Sequence, residues 1–227
     1  MQNYAILIDG GFAKRKLGSA KSPATAESFL RLVQQLQSMP PLDAMRLHRV
    51  YYYDSNPLES AHDKPLGGGS IQFGNTHVTT QSKQLFAQLA QQPFMALRLG
   101  ELSFEGWVVQ RKKLDRATGA SVEICTDDLR PKISQKGVDM RIGMDIAALT
   151  LKRQAQAIVL VSGDSDFVPA MKFARREGAN LYLVPLGQRV KPAMLEHSDL
   201  VLQVAAHEFT IPRQPTTETT QVKAAAV

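Results

Sequence analysis

The sequence predicts an α/β fold, a mainly parallel sheet flanked by helices on both faces. Three observations predict it. Short apolar runs (Tyr4–Ile8, Ile158–Val161, Leu181–Pro185) alternate with amphipathic helical stretches, as strand–helix–strand units do. Two of those runs end in aspartate, at Asp9 and at Ser162-Gly163-Asp164-Ser165-Asp166, and a strand delivers its last residues to a crevice at the sheet edge. The 227 residues, 44% hydrophobic and 21% charged, have the size and composition of one sizeable globular domain.

The elements follow in order. Residues 4–9 form the first strand. Residues 25–38 form a helix with Phe29, Leu32, Val33 and Leu36 on one face, stopped by Pro40-Pro41. Arg46 to Asp54 is a strand rich in tyrosine and valine. Residues 55–76 hold Pro57, Pro65 and Gly67-Gly68-Gly69 and read as a loop or lid hinge. A helix over 78–92 and a strand from Met95 to Leu102 come next. Residues 103–135 break the rhythm as an insertion. Within it Gly106–Arg111 and Ser121–Cys125 are expected to pair as a β-hairpin around Ala117–Ala120. A helix over 138–152, with Ile142, Ile146 and Leu149 at helical spacing, leads into a strand over 157–162. A helix over 167–177 ends at Gly178, Leu181–Pro185 is a strand, and a short helix near 191–197 precedes a last strand near 199–204. The domain is expected to span 1–210, and residues 211–227, rich in Pro, Thr and Ala, to be a flexible tail.

The acidic residues carry the chemistry. Two carboxylates held together at a strand end repel by roughly 4 kcal/mol at about 4 Å in an effective dielectric near 20. A cation between them, or a proton on one, relieves this. Gly10-Gly11 after Asp9 let the backbone turn and approach a ligand. Asp139 falls at the start of a helix, a cap position, and Asp145 lies six residues further on. Six residues turn a helix by about 600°, so Asp145 points roughly 120° away from Asp139 unless Asp139 lies outside the regular helix.

Taken together, Ile8-Asp9-Gly10-Gly11-Phe12, Lys136-Gly137-Val138-Asp139 and Ser162-Gly163-Asp164-Ser165-Asp166-Phe167 resemble the NYN domain family, with its LabA-like bacterial branch the best fit. Tyr51-Tyr52-Tyr53-Asp54 matches the aromatic second strand of that branch, and the resemblance runs over roughly residues 3–206. It implies a PIN-like fold and a metal-dependent endoribonuclease centre. Asp9, Asp139 and Asp164 would be metal ligands with Asp166 beside them, and Asp145 matches a further acidic position. The same four, Asp9, Asp139, Asp164 and Asp166, would be catalytic. Oxygen ligands without a His or Cys cluster favour Mg²⁺ or Mn²⁺. Hydrolysis would leave a 5′-phosphate and a 3′-hydroxyl, as in similar PIN-like enzymes.

Net charge is +6, which favours a polyanionic partner such as single-stranded RNA. Lys14, Arg15 and Lys16 follow the first acidic strand end, Arg111, Lys112, Lys113 and Arg116 lie in the insertion, and Lys136 precedes Asp139; these are the candidate phosphate contacts. Trp107 and Tyr51–Tyr53 are either stacking surfaces for bases or residues of the core. The single cysteine, Cys125, excludes an intramolecular disulfide, fits a cytoplasmic protein and is expected to be buried. No apolar run reaches the ~20 residues of a membrane span, so no membrane partner is expected. The insertion and the last strand are candidate surfaces for a homodimer.

Two other functions compete. A non-catalytic or weakly active regulator of the same fold would bind RNA or protein without cutting. A haloacid-dehalogenase-like phosphatase also uses a strand-end Asp, but Asp9 is followed by Gly10-Gly11-Phe12 where that chemistry needs a second Asp. A dinucleotide site is disfavoured because no Gly-x-Gly-x-x-Gly follows the first strand.

Overall fold

The structure, a computed structural model, describes residues 1–19, 21–116 and 118–204. The expected tail and Ala117 of the expected hairpin turn lie outside the described residues.

In chain order the elements are β1 (Asn3–Asp9), α1 (Gly10–Leu17), α2 (Ala26–Ser38), β2 (Arg46–Ser55), β3 (Ala61–Asp63), β4 (Ser70–Gln72), α3 (His77–Ala90), β5 (Met95–Val109), α4 (Arg111–Asp115), β6 (Leu129–Lys136), α5 (Val138–Leu151), β7 (Ala157–Val161), α6 (Val168–Arg176), β8 (Asn180–Leu183), α7 (Pro192–Glu196) and β9 (Leu200–Val201). Seven strands form one sheet in the order β6-β5-β2-β1-β7-β8-β9, parallel except for β6. The chain builds outward from β1 through β2 to β5, then returns to the other side of β1 for β7, β8 and β9. The strand order therefore reverses between β1 and β7, which is where open parallel sheets place their ligands.

Side chains alternate across each strand, so the central strands serve two cores. Ile6 and Ile8 face a layer with Phe29, Leu32, Leu36, Tyr52 and Phe86, whereas Ala5 and Leu7 face Ile142, Ile146, Leu160 and Met171 on the other side. Each large aliphatic side chain buried this way contributes about 1.5–3 kcal/mol. The tyrosines of β2 divide between the two layers, Tyr52 in one and Tyr51 and Tyr53 in the other, and all three are buried. They are core residues and offer no face to a base.

Four expectations need correction. Residues 10–17 form a helix, capped by Asp9, whose carboxylate accepts the Phe12 N–H at 3.0 Å. The 55–76 stretch carries the short β3–β4 hairpin rather than a bare loop. The hairpin of the insertion pairs β5 with β6, from Glu101 opposite Lys136 to Val109 opposite Leu129, and Ser121–Cys125 form no strand. Pro131 hides β6 from a sequence reading, yet β6 is the sheet's edge, where a proline removes no ladder partner on the free side. Cys125 is exposed, because that missing strand leaves it on the surface.

Candidate metal and nucleic-acid site

β1 ends in Asp9, half-buried beside β7. One carboxylate oxygen caps α1; the other accepts the Ser162 hydroxyl at 3.1 Å. Ser162 in turn accepts the Asp164 N–H at 3.2 Å, so the two strand ends are laced together. Gly10 is required by packing. A Cβ there would stand 2.5 Å from the Tyr53 carbonyl and 2.6 Å from the Tyr52 ring. Its role is thus close approach of α1 to β2, whereas Gly11 faces the open side near Asp9.

After β7 the chain turns through Asp164, whose carboxylate accepts the Asp166 N–H at 2.9 Å and caps a short 3₁₀ turn. A crevice of about 380 Å³ opens here, lined by Asp9, Arg15, Asp164, Gln188, Arg189 and Lys191 among others.

The cap of α5 is Gly137, at φ 76°, and Asp139 follows as the second helical residue rather than the cap itself. A carboxylate in the first turn is favoured by the helix dipole. Since Asp139 is inside the regular helix, Asp145 leaves on another face. The structure does not bring Asp145 to the strand ends: its carboxylate accepts the Tyr53 hydroxyl at 2.8 Å and pairs with Arg98 Nε at 3.1 Å.

Electrostatics join the other acids. Burial raises the Asp9 carboxyl above its ordinary range, the Phe12 and Ser162 hydrogen bonds oppose this, and Asp139 adds repulsion. Asp139 is raised by desolvation first, then by Asp164 and Asp166. Asp9, Asp139, Asp164 and Asp166 thus feel one another's negative charge, which Arg15 offsets in part at Asp9. Among the described residues no three His, Cys, Asp or Glu side chains stand close enough to enclose an ion by themselves. An all-oxygen set of mutually repelling carboxylates, more open than a cage, suits a hard cation that keeps several of its waters. An oxygen-only donor set of this kind favours ions such as Mg²⁺ or Mn²⁺ over softer ones.

The predicted phosphate contacts divide. Arg15 is exposed, lines the crevice and attracts Asp9. Lys14 is held by Asp54 at 2.6 Å, Lys113 by Asp128 at 2.9 Å and Lys136 by Glu105 at 2.9 Å, while Arg111 lies 3.6 Å from Asp115. Lys16 lies over the Phe12 ring, and Lys112 is exposed on α4. Trp107 is half-buried and donates its indole N–H to the Asp63 carbonyl at 2.8 Å.

Sequence reasoning missed Gln188, Arg189 and Lys191. Gln188 reaches the Gly163 carbonyl at 3.4 Å, and Lys191 donates to the Ser165 hydroxyl at 2.8 Å. The available signal was their position: they follow β8, and loops after neighbouring parallel strands share one edge.

Comparison with known proteins defines the class. The model of the NYN domain matches residues 78–210, more than half of the chain, and the chain belongs to that family. NYN domains are part of the PIN-like nuclease superfamily. The match contains Asp139, Asp145, Asp164 and Asp166, while Asp9 precedes it. An uncharacterised protein of Methanocaldococcus jannaschii is 25% identical over 91 residues, 40% of this chain and 38% of that protein. The chain therefore spans well under half the length of this curated relative. A crystal structure of a protein of unknown function from Vibrio parahaemolyticus aligns over 89% of this chain and 93% of its own, at 14% identity and a TM-score of 0.49. Among the described residues, no helix is long and apolar enough to cross a membrane.

Proposed function

We propose that this NYN domain, of the LabA-like branch, is a metal-dependent endoribonuclease that hydrolyses phosphodiesters of single-stranded RNA at Asp9, Asp139, Asp164 and Asp166. The observation that supports the reading is that Asp9 and Asp164 follow β1 and β7 where the strand order reverses, that Asp139 at the start of α5 feels the charge of both, and that Arg15, Arg189 and Lys191 line the same crevice. Family membership adds that PIN-like nucleases usually use divalent metals and that NYN nucleases act on RNA.

Asp9, Asp139 and Asp164 would hold Mg²⁺ or Mn²⁺, which when bound supplies charge neutralisation at the phosphodiester and a more acidic water. The chain's own part is positional. Ser162 and the Phe12 N–H fix both oxygens of Asp9, so its lone pairs are aimed before substrate arrives. Asp166, exposed at the rim with its N–H spent on Asp164, keeps its carboxylate for the attacking water. Arg15 and Arg189, both lining the crevice, would hold the phosphate's outer oxygens. The products would carry a 5′-phosphate and a 3′-hydroxyl. Asp145 serves instead to anchor α5 to β2 and β5 through Tyr53 and Arg98.

The test is cleavage of end-labelled single-stranded RNA with Mn²⁺, Mg²⁺ or EDTA, beside Asp164→Asn. Cutting that needs the metal and falls at least about 100-fold in the variant is expected. Cutting that survives EDTA, or is unchanged in Asp164→Asn, refutes the assignment.

A further inference from the structure

A second cleft, about 810 Å³, neighbours the acidic crevice. The two meet at α1. Arg15 lines both, and the seam runs over Gly11, where a Cβ would stand 3.5 Å from Asp9 Oδ1, 3.8 Å from Gln135 Oε1 and 3.9 Å from Arg15 Nη1. A ligand gripped by Arg15 can therefore reach into both. We propose that the larger cleft seats one unstacked base of a single-stranded RNA, as a specificity pocket for the nucleotide beside the phosphate that is cut. This rests on the nuclease reading above.

The lining decides the chemistry of the guest. Leu58, Phe73, Leu85, Leu102 and Ile133 make apolar walls. Of the two cations lining this cleft, Lys14 is neutralised by Asp54 at 2.6 Å, and Asp54 also accepts the Tyr52 hydroxyl at 2.8 Å. The interior thus offers no net charge to a phosphate or a carboxylate; the free charge is Arg15, at the seam. A neutral ring with a polar edge matches the interior, and its phosphate matches the seam. Polar groups to read that edge line the same cleft, among them Gln135 from β6 and Gln81 and Ser82 from α3. Ser55 also lines the cleft, buried, with its Oγ lacking a hydrogen-bond partner among the described residues. The volume falls within the range typical of ligand sites, roughly 300–1,000 Å³. RNA readout of this kind works on splayed single-stranded bases.

The experiment measures binding without cleavage. Labelled RNA 8-mers, identical except that one set has a single abasic position moved along the strand, are titrated in EDTA and followed by fluorescence anisotropy. At one position, removing the base is expected to weaken binding about tenfold, the effect of losing one seated base. Ser82→Trp, which fills the cleft from a half-buried helical position, should reduce that difference to about twofold. Gln81→Trp on the same wall serves if Ser82→Trp does not fold. Equal affinities at every abasic position, or a full preference retained in a folded Trp variant, overturns the pocket. The same oligonucleotides with Mn²⁺ separate the two claims. Cutting with no base dependence sinks the pocket and leaves the nuclease; base-dependent binding with no cutting supports the base seat and sinks the nuclease.

Discussion

Tyr53 and Asp145 offer the sharpest test of which acids belong to the site. The Tyr53 ring is fully buried, at 0% exposure, and its hydroxyl donates to Asp145 Oδ2 at 2.8 Å. Burial first, and then the adjacent carboxylate, push that hydroxyl far above its ordinary pKa, so it is a donor at every working pH. A hydrogen bond to a charged acceptor contributes about 1.5–3 kcal/mol. Arg98 reaches the same oxygen at 3.1 Å, but its side chain is 48% exposed, which limits that ion pair to about 0.2–1 kcal/mol. Tyr53→Phe should therefore cost about 1.5–2 kcal/mol, which at roughly 2–4 °C per kcal/mol is a drop of about 3–8 °C in the melting midpoint. Asp145→Ala orphans the buried hydroxyl and should cost about 2–3 kcal/mol. The double variant should show a coupling near 1.5 kcal/mol, because each single change already breaks the shared bond. The assay is urea unfolding of the four proteins, with RNA cleavage of Asp145→Asn alongside. A coupling below about 0.5 kcal/mol refutes the anchoring argument. So does an Asp145→Asn protein as inactive as Asp164→Asn, since that would place Asp145 among the metal ligands.

Three further outcomes follow from the same geometry. Gly10→Ala drives a methyl to 2.5 Å from the Tyr53 carbonyl, so it should destabilise by about 2–3 kcal/mol and weaken cleavage by displacing Asp9; an unfolding midpoint equal to wild type counts against the close-approach reading. Asp9→Asn keeps an acceptor for the Phe12 N–H while removing a carboxylate that burial and Asp139 disfavour, so the metal-free protein should gain about 0.5–2 kcal/mol at neutral pH while losing metal-dependent cutting; a loss of thermal stability would contradict it. Glu105, held to about 2 by the Ser134 hydroxyl and by Lys136 and Lys132, has a depressed folded pKa, so its support of the β5–β6 arm is complete above about 4.5 and lost as pH falls toward 2. NMR titration should give its midpoint near 2, and Glu105→Gln should remove that part of the acid transition; a midpoint at the ordinary carboxyl value counts against these contacts.

What the sequence disclosed and what it withheld have one physical cause. β1 and β7 were legible because a central parallel strand is buried on both faces, and Ile6–Ile8 and Ile158–Val161 are therefore unbroken apolar runs. Their terminal aspartates were legible because nothing local explains a carboxylate there. The helix α1 was not: it buries Phe12, Ala13 and Leu17 but opens on two glycines and carries three consecutive cations, and its strongest start signal, Asp9, is equally a ligand candidate. β6 was not, because half-exposed edge positions lose the alternation that marks a strand. The basic residues show the same limit. Lys14 and Lys136 read as free charges, yet their partners Asp54 and Glu105 lie 40 and 31 residues away, and only the pairing of strands brings them together. Arg189 and Lys191 read as nothing, yet strand order places them in the same crevice as Arg15. Local pattern tells which residues are buried or lie at a strand end. Which loops share an edge is a property of strand order, and strand order is set by crossovers between segments far apart in sequence. The acidic half of this site sits at strand and helix ends and could be read directly. The basic half, which would bind the phosphate, depends on how β7 and β8 lie beside β1, so mutation of Arg189 and Lys191 tests the topology as much as the chemistry.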